Sequence, residues 1–352
     1  MAGKIRVLIV DDSALIRQML TAMLSEDPEL EVVGSASDPL IARERIKELN
    51  PDVITLDVEM PRMDGISFLR KIMKLRPMPV VMVSTLTQKG AEVTLEALEI
   101  GAVDFVGKPT IDMQQGMAGK KEEIISKVKA AARARVRVPA DLNSPAQRPK
   151  VLAVPAGPGF RTTDRIVAIG ASTGGVEALR EVICALPADC PPILITQHMP
   201  VKFTESFAKR LDSMAALAVS EARDGERAVP GHVYIAPGGQ HLELVRSGGT
   251  YGCKVYDGPL VSGHRPSVDV LFRSVAAQAG PNAVGAILTG MGRDGAEGLM
   301  AMREAGAMTL GQDESTALVY GMPRVAKEIG AVQVELPLSR IAEGILKHSS
   351  GG

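Results

Sequence analysis

Short apolar runs alternate with amphipathic stretches along the first third of the chain. Apolar runs of this kind predict strands of a parallel sheet, because both faces of such strands are buried. The stretches between them repeat apolar residues at helical spacing. The predicted strands are 5–10, 31–34, 53–56, 80–83 and 103–106, and the predicted helices are 13–24, 39–49, 64–75 and 91–100. This alternation predicts a doubly wound α/β domain with five parallel strands.

The same pattern returns in the second half of the chain, where glycine-rich turns follow several apolar runs. Residues 241–245 and 251–255 flank a Ser-Gly-Gly-Thr turn, which predicts a β-hairpin. The other predicted strands are 166–169, 193–196, 233–236 and 283–288, and helices are predicted from 176, at 267–279 and at 296–305. The predicted fold class is therefore α/β, with two doubly wound parallel-sheet domains, of which the second is larger and includes the hairpin.

Prolines interrupt the stretch between the two halves and predict a linker. We predict a first domain at 1–122, a helical and proline-rich linker at 123–162, and a second domain at 163–350. Residues 120–138 have a helical pattern with a basic run. A nucleic-acid patch and a solvated helix face both fit this run, and the solvated face is favoured. The basic residues are Lys127, Lys129, Arg133, Arg135 and Arg137.

Composition narrows the classes of function. The chain has 352 residues and a formal net charge of −1, so no global charge attracts it to nucleic acids or acidic membranes. The absence of tryptophan argues against stacking platforms for single-stranded nucleic acid. Three cysteines without C-x-x-C spacing fit a reducing cytoplasm. We expect no signal segment and no membrane span, and hence a cytoplasmic protein that approaches membranes only through partners.

Polar residues follow the predicted strands of the first domain, at the edge where parallel sheets bind ligands. Asp11 and Asp12 follow the first strand, Asp57 follows the third, and Lys108 follows the fifth. Converging carboxylates repel one another unless a hard cation such as Mg²⁺ neutralises them. Asp57 is then a candidate nucleophile for a phosphoryl group, with Lys108 and the hydroxyl of Ser84 beside it. The alternative is that each of these acids is an ordinary solvated loop residue. Their shared position at the ends of strands disfavours this alternative.

Ser172 lies between a predicted strand and a predicted helix, in the Gly-x-Ser-x-Gly spacing of a nucleophile elbow. His198 and Asp294 also follow predicted strands, so the three residues form a candidate triad of nucleophile, general base and orienting acid. Backbone N–H groups near Met291 or after Ser172 are candidates for an oxyanion hole. The chain order differs from that of α/β-hydrolases and favours a separate hydrolase lineage. Glycine turns before helices also bind phosphate, which keeps a nucleotide site as an alternative.

Residues 4–110 resemble the receiver domain of two-component response regulators. The resemblance includes the acids and lysine above, Met60-Pro61, Met63-Asp64-Gly65 and Pro109. It implies that a histidine kinase phosphorylates Asp57 in a reaction that depends on Mg²⁺. The metal ligands that it assigns are Asp11, Asp12 and Asp57. The switch residues that it assigns are Ser84, Phe105 and Lys108.

Residues 163–345 resemble the catalytic domain of the protein-glutamate methylesterase family of bacterial chemotaxis. The motifs are IGASTGGVEAL, QHMP, YIAPGGQH, GHRPSVDVLF, ILTGMGRDGAEG and VYGMP. The resemblance assigns the nucleophile to Ser172, the base to His198, the orienting acid to Asp294 and an oxyanion-hole backbone donor to Met291. It implies no cofactor for the ester chemistry.

Together the two resemblances imply a hydrolase that is activated by phosphorylation and serves chemotactic adaptation. It would remove methyl esters from glutamates of methyl-accepting chemotaxis receptors, release methanol, and deamidate specific receptor glutamines. The receiver would cover the active-site edge until Asp57 is phosphorylated. The expected partners are the receptors as substrate and a chemotaxis histidine kinase as phosphodonor, with no nucleic acid.

Two other classes of function are compatible with parts of the chain. A DNA-binding response regulator would need a basic helix-turn-helix or winged domain, and the glycine-rich α/β pattern of the second half argues against it. A catalytically silent adaptor would bind receptors under the control of phosphorylation, and the complete candidate triad argues against that class.

Overall fold

The computed structural model describes residues 3–60, 64–85, 87–109, 117–134, 136 and 164–349, with the side chains of 117–120 left out. The chain divides into two compact units, Met1–Pro145 and Ala146–Gly352, and each is described by itself. Of the helices that the structure describes, none combines the length and the apolar composition that crossing a bilayer requires.

A single five-stranded parallel sheet forms the centre of the first unit, as the apolar runs predict. Its strands are β1 (Ile5–Val10), β2 (Leu30–Ala36), β3 (Val53–Asp57), β4 (Val80–Ser84) and β5 (Asp104–Gly107). The order across the sheet is β2-β1-β3-β4-β5. The strand order reverses between β1 and β3, so the residues that follow these strands face a topological switch point.

Polar side chains cap the helices of the first unit and set where they begin. The hydroxyl of Ser13 accepts the N–H of Ile16 at 3.4 Å, and the Asp64 carboxylate accepts the N–H of Ser67 at 2.6 Å. Because a capping residue keeps an extended backbone, these two helices begin one residue later than predicted. The helices are α1 (Ala14–Ser25), α2 (Pro39–Leu49), α3 (Gly65–Leu75), α4 (Gln88–Ile100) and α5 (Met117–Ala132).

Helix α5 crosses the predicted boundary between the first domain and the linker. Ile124, Val128 and Ala131 are buried, and the helix packs against α1 and β5. Residues 123–132, which were predicted to lie in the linker, are therefore part of a helix of the first unit. The rest of the predicted linker, from 137 to 162, lies outside the described residues.

The basic run on α5 is largely engaged in ion pairs. The ammonium of Lys127 lies 3.3 Å from the Asp104 carboxylate, and Arg133 lies 2.6 Å from Glu29. Lys129 also pairs with Glu29. These contacts attach α5 to its own unit, which favours a structural role for the run over nucleic-acid binding. Arg135 and Arg137 lie outside the described residues.

The second unit is built on a seven-stranded parallel sheet. Its strands are β6 (Ile166–Ala171), β7 (Ile193–Gln197), β8 (Ala218–Glu221), β9 (His232–Ile235), β12 (Ala283–Ile287), β13 (Met308–Gln312) and β14 (Val334–Leu336). The order is β14-β13-β12-β6-β7-β9-β8. Strand β6 lies between β7 and β12, where the strand order reverses, and the carboxyl ends of these three strands form the crevice in which such sheets bind ligands.

Helices cover this sheet, and the predicted hairpin packs on one of them. The hairpin consists of β10 (His241–Ser247) and β11 (Thr250–Tyr256). The helices are α6 (Gly175–Ala185), α7 (Phe203–Asp212), α8 (Val268–Ala279), α9 (Ala296–Glu304), α10 (Met322–Glu328) and α11 (Leu338–Ser349). The N–H of Leu244 donates to the hydroxyl of Ser274 at 2.8 Å, which attaches the hairpin to α8. Apolar residues of β6, β7 and β9, the hairpin, α8 and α9 share one buried cluster.

Candidate functional site

Ser172 follows β6 in a tight turn that leads into α6. Gly174 takes a left-handed φ of 78°, as the sequence predicts for a glycine of this turn. Gly170 and Gly175 serve close packing instead, because a Cβ on them would clash with Val268 and with Gln197. Ser172 itself is outside the left-handed region, so the turn shares the spacing of a nucleophile elbow without its backbone strain.

The structure brings Ser172, His198 and Asp294 together, as their strand-end positions predict. The Oγ of Ser172 lies 3.0 Å from Nδ1 of His198, and Nε2 of His198 lies 2.7 Å from Oδ2 of Asp294. The His198 side chain is 8% exposed and that of Asp294 is 1% exposed, so both hydrogen bonds are shielded from water. Gln197 fixes the two loops to each other, because its amide donates to the carbonyls of Ser172 and His198.

These contacts determine which nitrogen of His198 carries the proton. An ionised carboxylate only accepts hydrogen bonds, so Nε2 donates to Asp294. Nδ1 is then left with a lone pair that accepts the hydroxyl proton of Ser172. This is the arrangement that a general base requires, with Nδ1 rather than Nε2 facing the serine.

The carboxylate of Asp294 lies at the N-terminus of α8 and accepts three further hydrogen bonds. The donors are the hydroxyl of Ser267 at 2.7 Å and the N–H groups of Val268 at 2.7 Å and Asp269 at 3.2 Å. Burial alone would raise the pKa of Asp294, but its hydrogen bonds from His198, Ser267 and Val268 outweigh burial and lower that pKa. Asp294 therefore stays ionised and fixed in orientation.

The loop after β12 approaches Ser172 closely. A Cβ on Gly290 would lie 2.8 Å from the Cβ of Ser172, so only glycine fits there. The N–H of Ser172 donates to the carbonyl of Thr289 at 3.0 Å and is thus occupied. Among the described residues, the N–H of Met291 donates to no acceptor. Met291 therefore remains the better candidate for a backbone donor to an oxyanion.

The acids of the first unit also converge as predicted. One carboxylate oxygen each from Asp11, Asp12 and Asp57 lies within 4.8 Å of the others. Asp11 and Asp57 are fully buried, and Oδ2 of Asp11 has no hydrogen-bond partner. The ammonium of Lys108 lies 2.7 Å from Oδ2 of Asp57 and 3.8 Å from Oδ2 of Asp11.

Charge is unbalanced in this acidic cluster. Burial and the Asp11 carboxylate raise the pKa of Asp57 to about 6, although Lys108 opposes the shift. Burial likewise raises the pKa of Asp11. Two buried carboxylates and one lysine, with an unpartnered buried oxygen, form a donor set that suits a hard divalent cation.

Two of the three predicted switch residues, Ser84 and Phe105, lie on the neighbouring strands β4 and β5. Ser84 ends β4, and its hydroxyl donates to the carbonyls of Thr85 at 3.2 Å and Gly90 at 3.4 Å. Phe105 is buried in β5, with the ammonium of Lys127 5.0 Å from its ring centroid. Their switch role stays a prediction. Pro61 and Met63 of the receiver motif lie outside the described residues.

Sequence reasoning gave no role to Ser267, although it lies in the GHRPSVDVLF motif. A serine before an apolar helix predicts a cap, yet its hydroxyl donates to Asp294 instead of capping α8. The sequence likewise gave no role to Gln197, whose amide connects the loops of Ser172 and His198. Only tertiary structure brings these side chains to the triad, so local sequence patterns held no signal for them.

Comparisons with known proteins cover both units. The family described as CheB methylesterase matches residues 167–345, and the response regulator receiver domain matches residues 7–118. The protein-glutamate methylesterase/protein-glutamine glutaminase 1 of Xanthomonas campestris pv. campestris is 58% identical over 352 residues, covering 98% of each chain. The protein-glutamate methylesterase/protein-glutamine glutaminase of Escherichia coli O6:H1 is 55% identical over 350 residues, covering 99% of this chain and 98% of that protein.

A solved structure gives the same result for the second unit. The crystal structure of the Thermotoga maritima CheB methylesterase catalytic domain aligns with a TM-score of 0.52 and 38% identity, covering 53% of this chain and 99% of that chain. Fold and site thus define a class of protein in which a receiver domain precedes an α/β domain with a Ser-His-Asp cluster. The chain belongs to the CheB methylesterase family, which confirms the resemblance drawn from the motifs.

Proposed function

We propose that the protein hydrolyses γ-methyl esters of glutamate residues on methyl-accepting chemotaxis receptors, releases methanol, and deamidates specific receptor glutamines. The observation that carries this proposal is the chain of hydrogen bonds from Ser172 through His198 to Asp294 at three strand ends. The full-length relatives named as methylesterase and glutaminase support the choice of substrate.

The hydrogen bonds suggest how the chemistry proceeds. Oγ of Ser172 attacks the ester carbon while Nδ1 of His198 takes its proton, and the N–H of Met291 stabilises the negative oxygen. The proton then passes from His198 to the leaving methoxide, and methanol departs from an acyl-serine. Water attacks this acyl group with His198 again as base, which restores Ser172 and leaves a glutamate carboxylate. With a glutamine substrate, ammonia leaves in place of methanol.

We further propose that phosphorylation of Asp57 by a chemotaxis histidine kinase raises the esterase rate. The Asp57 carboxylate would attack the phosphorus atom of the kinase's phosphohistidine as the P–N bond breaks and the imidazole leaves, and Lys108, 2.7 Å from Asp57, would hold a phosphoryl oxygen. Asp11, Asp12 and Asp57 would hold Mg²⁺, which when bound neutralises the charge of the phosphoryl group. We infer no cofactor for the ester chemistry, because the triad provides both nucleophile and base.

We propose that the protein works in the cytoplasm and reaches the membrane only through receptors. The cysteines support a reducing compartment, since all three are buried and none forms a disulfide in the part of the chain that the structure describes. Burial raises the pKa of both Cys190 and Cys253 to about 12, which keeps these thiols protonated and inert at neutral pH.

The proposed activity can be tested with receptor membranes that carry radiolabelled methyl groups. The purified protein, with Mg²⁺ and a small phosphodonor, is expected to release volatile labelled methanol faster than without phosphodonor. Unphosphorylatable Asp57→Asn protein should keep only the slower rate. Binding to receptors without methanol release under any condition would support the adaptor class and contradict the proposed hydrolase.

Mg²⁺ is expected to stabilise the first unit through the acidic cluster. At ten times its dissociation constant, a ligand that binds only the folded state adds about 1.4 kcal/mol of stability. Asp11→Asn should raise the melting temperature without Mg²⁺, because one of two buried like charges is removed, and should abolish the gain with Mg²⁺. Calorimetry of the full chain measures both effects. Glu31→Gln, an exposed acid on β2, is the control, and an equal Mg²⁺ gain in Asp11→Asn protein would contradict the site.

A further inference from the structure

The segment 257–267, which connects β11 to α8, lies over the candidate base. Its residue His264 stacks on His198, with ring centroids 3.7 Å apart and ring planes inclined by 13°. The same segment ends at Ser267, whose hydroxyl donates to Asp294. One connection therefore contacts two members of the triad.

A tight turn presents His264 to His198. The N–H of Val261 donates to the carbonyl of His264 at 3.1 Å, and the N–H of His264 donates back at 2.9 Å. Ser262 and Gly263 between them have φ values of 52° and 79°, which is the pattern of a two-residue type I′ turn. A serine in the left-handed region is unfavourable, and such residues persist where surrounding contacts hold them, often at functional sites.

Hydrogen bonds hold the turn at its tip and the segment at its ends. The hydroxyl of Ser262 donates to Oδ2 of Asp269 at 3.2 Å. His241 is 1% exposed, and its ring joins both ends of the segment. Its Nε2 donates to the carbonyl of Pro259 at 2.8 Å, and its Nδ1 accepts the N–H of Ser267 at 3.3 Å. These contacts hold the backbone of the segment that carries His264.

Stacking on His264 restrains the orientation of the His198 ring plane, which the two hydrogen bonds of His198 restrain only weakly. Those bonds, at Nδ1 and Nε2, lie close to the plane of the ring and therefore oppose displacement of the ring out of that plane only weakly. A planar ring stacked at 3.7 Å opposes such displacement, because the two rings are already in van der Waals contact and tilting His198 would make them overlap. Loss of this restriction would misalign Nδ1 with the hydroxyl of Ser172.

We propose that His264 is a positioning residue for the triad, which holds the ring plane of His198 by stacking. This inference rests on the proposed esterase function of the same site. It requires a planar side chain at position 264 and no proton transfer by His264 itself. Phenylalanine should therefore substitute for histidine, whereas leucine offers bulk without a plane and alanine offers neither.

The test compares His264→Phe, His264→Leu and His264→Ala in the full chain, by methanol release at several receptor concentrations. We expect His264→Ala to lower kcat roughly ten- to a hundred-fold, the scale of a misplaced reacting group, with KM nearly unchanged. His264→Phe should restore most of kcat, and His264→Leu should fall between the two. His232→Ala is the control, since it removes a histidine that stacks on Tyr234 at the amino end of β9.

Three results would overturn the inference. Wild-type kcat in His264→Ala protein would show that the stack is dispensable. Failure of His264→Phe to restore kcat would show that the imidazole acts through its nitrogens. Equal rates for His264→Leu and His264→Phe would show that bulk suffices, and this comparison stands even if the alanine variant fails to fold. Wild-type release that does not depend on Ser172 would instead contradict the proposed function.

Discussion

Asp294→Asn is expected to lower kcat for methanol release by about 10⁴-fold, as loss of the orienting acid does in other serine triads. The carboxylate accepts from His198, Ser267, Val268 and Asp269. Asparagine has only one acceptor oxygen, so its NH₂ group must face at least one of these four donors. If it donates to Nε2, His198 takes the other tautomer and presents an N–H to Ser172, which removes the base.

The assay for Asp294→Asn uses methylated receptor membranes with saturating phosphodonor. Arg293→Ala changes the neighbouring exposed residue, whose contact is an ion pair with Glu297, and should keep the wild-type rate. Circular dichroism establishes that both variants are folded. A rate for Asp294→Asn within tenfold of wild type would show that Asp294 does not orient the base.

Gly65→Ala is expected to destabilise the first unit by about 3 kcal/mol, at the upper end of the usual cost of overpacking. Gly65 is the first residue of α3, and its N–H donates to the carbonyl of Val58 at 3.1 Å. An added Cβ would overlap the carbonyl oxygen of Asp57 and lie 3.0 Å from its carbonyl carbon. Since both contacts are to backbone, either α3 or the end of β3 must move, and Asp57 moves with β3.

Urea unfolding of the full chain, followed by circular dichroism, measures the loss of stability in Gly65→Ala protein. Labelling with a small phosphodonor measures whether Asp57 still accepts a phosphoryl group, and we expect that it does so poorly. Gly3→Ala is the matched control, because no atom lies within 4 Å of the added Cβ. Wild-type stability and labelling in Gly65→Ala protein would contradict the packing argument.

The first sheet and four strands of the second (β6, β7, β9 and β12) could be predicted from the sequence, because these strands are largely buried and read as apolar runs. The grouping of the candidate site residues could be predicted for the same reason, since Asp57, Ser172, His198 and Asp294 each follow such a run. Parallel strands bring their carboxyl ends to one edge, so order along the chain was enough to group these residues.

Elements with weaker local patterns were not predicted. Strand β14 has three residues, too few for a pattern to show, and strands β8 and β13 contain too few consecutive apolar residues to be recognised. Helix α5 was placed partly in a linker, because the sequence alone does not show that its apolar stripe packs against α1 and β5. The predicted starts of α1 and α3 were one residue too early, because their capping residues were counted as part of the helices.

The finer structure of the triad depends on contacts between distant parts of the chain. Ser267 and His264 lie far from Ser172 and His198 in sequence, and no spacing rule connects them. Which nitrogen of His198 faces Ser172 depends on the position of Asp294, which lies in the loop after β12 and is held by the N-terminus of α8. Such features follow from packing and could not be read from local pattern.

The role of Ser172 as nucleophile is tested most directly by comparing wild-type and Ser172→Ala protein for methanol release from radiolabelled, methylated receptor membranes, with Mg²⁺ and a small phosphodonor. Ser213→Ala, which changes an exposed serine after α7, is the control. We expect Ser172→Ala protein to be folded and to bind receptors but to release no methanol above background, while Ser213→Ala protein matches wild type. Equal release from Ser172→Ala and wild type would show that the nucleophile lies elsewhere.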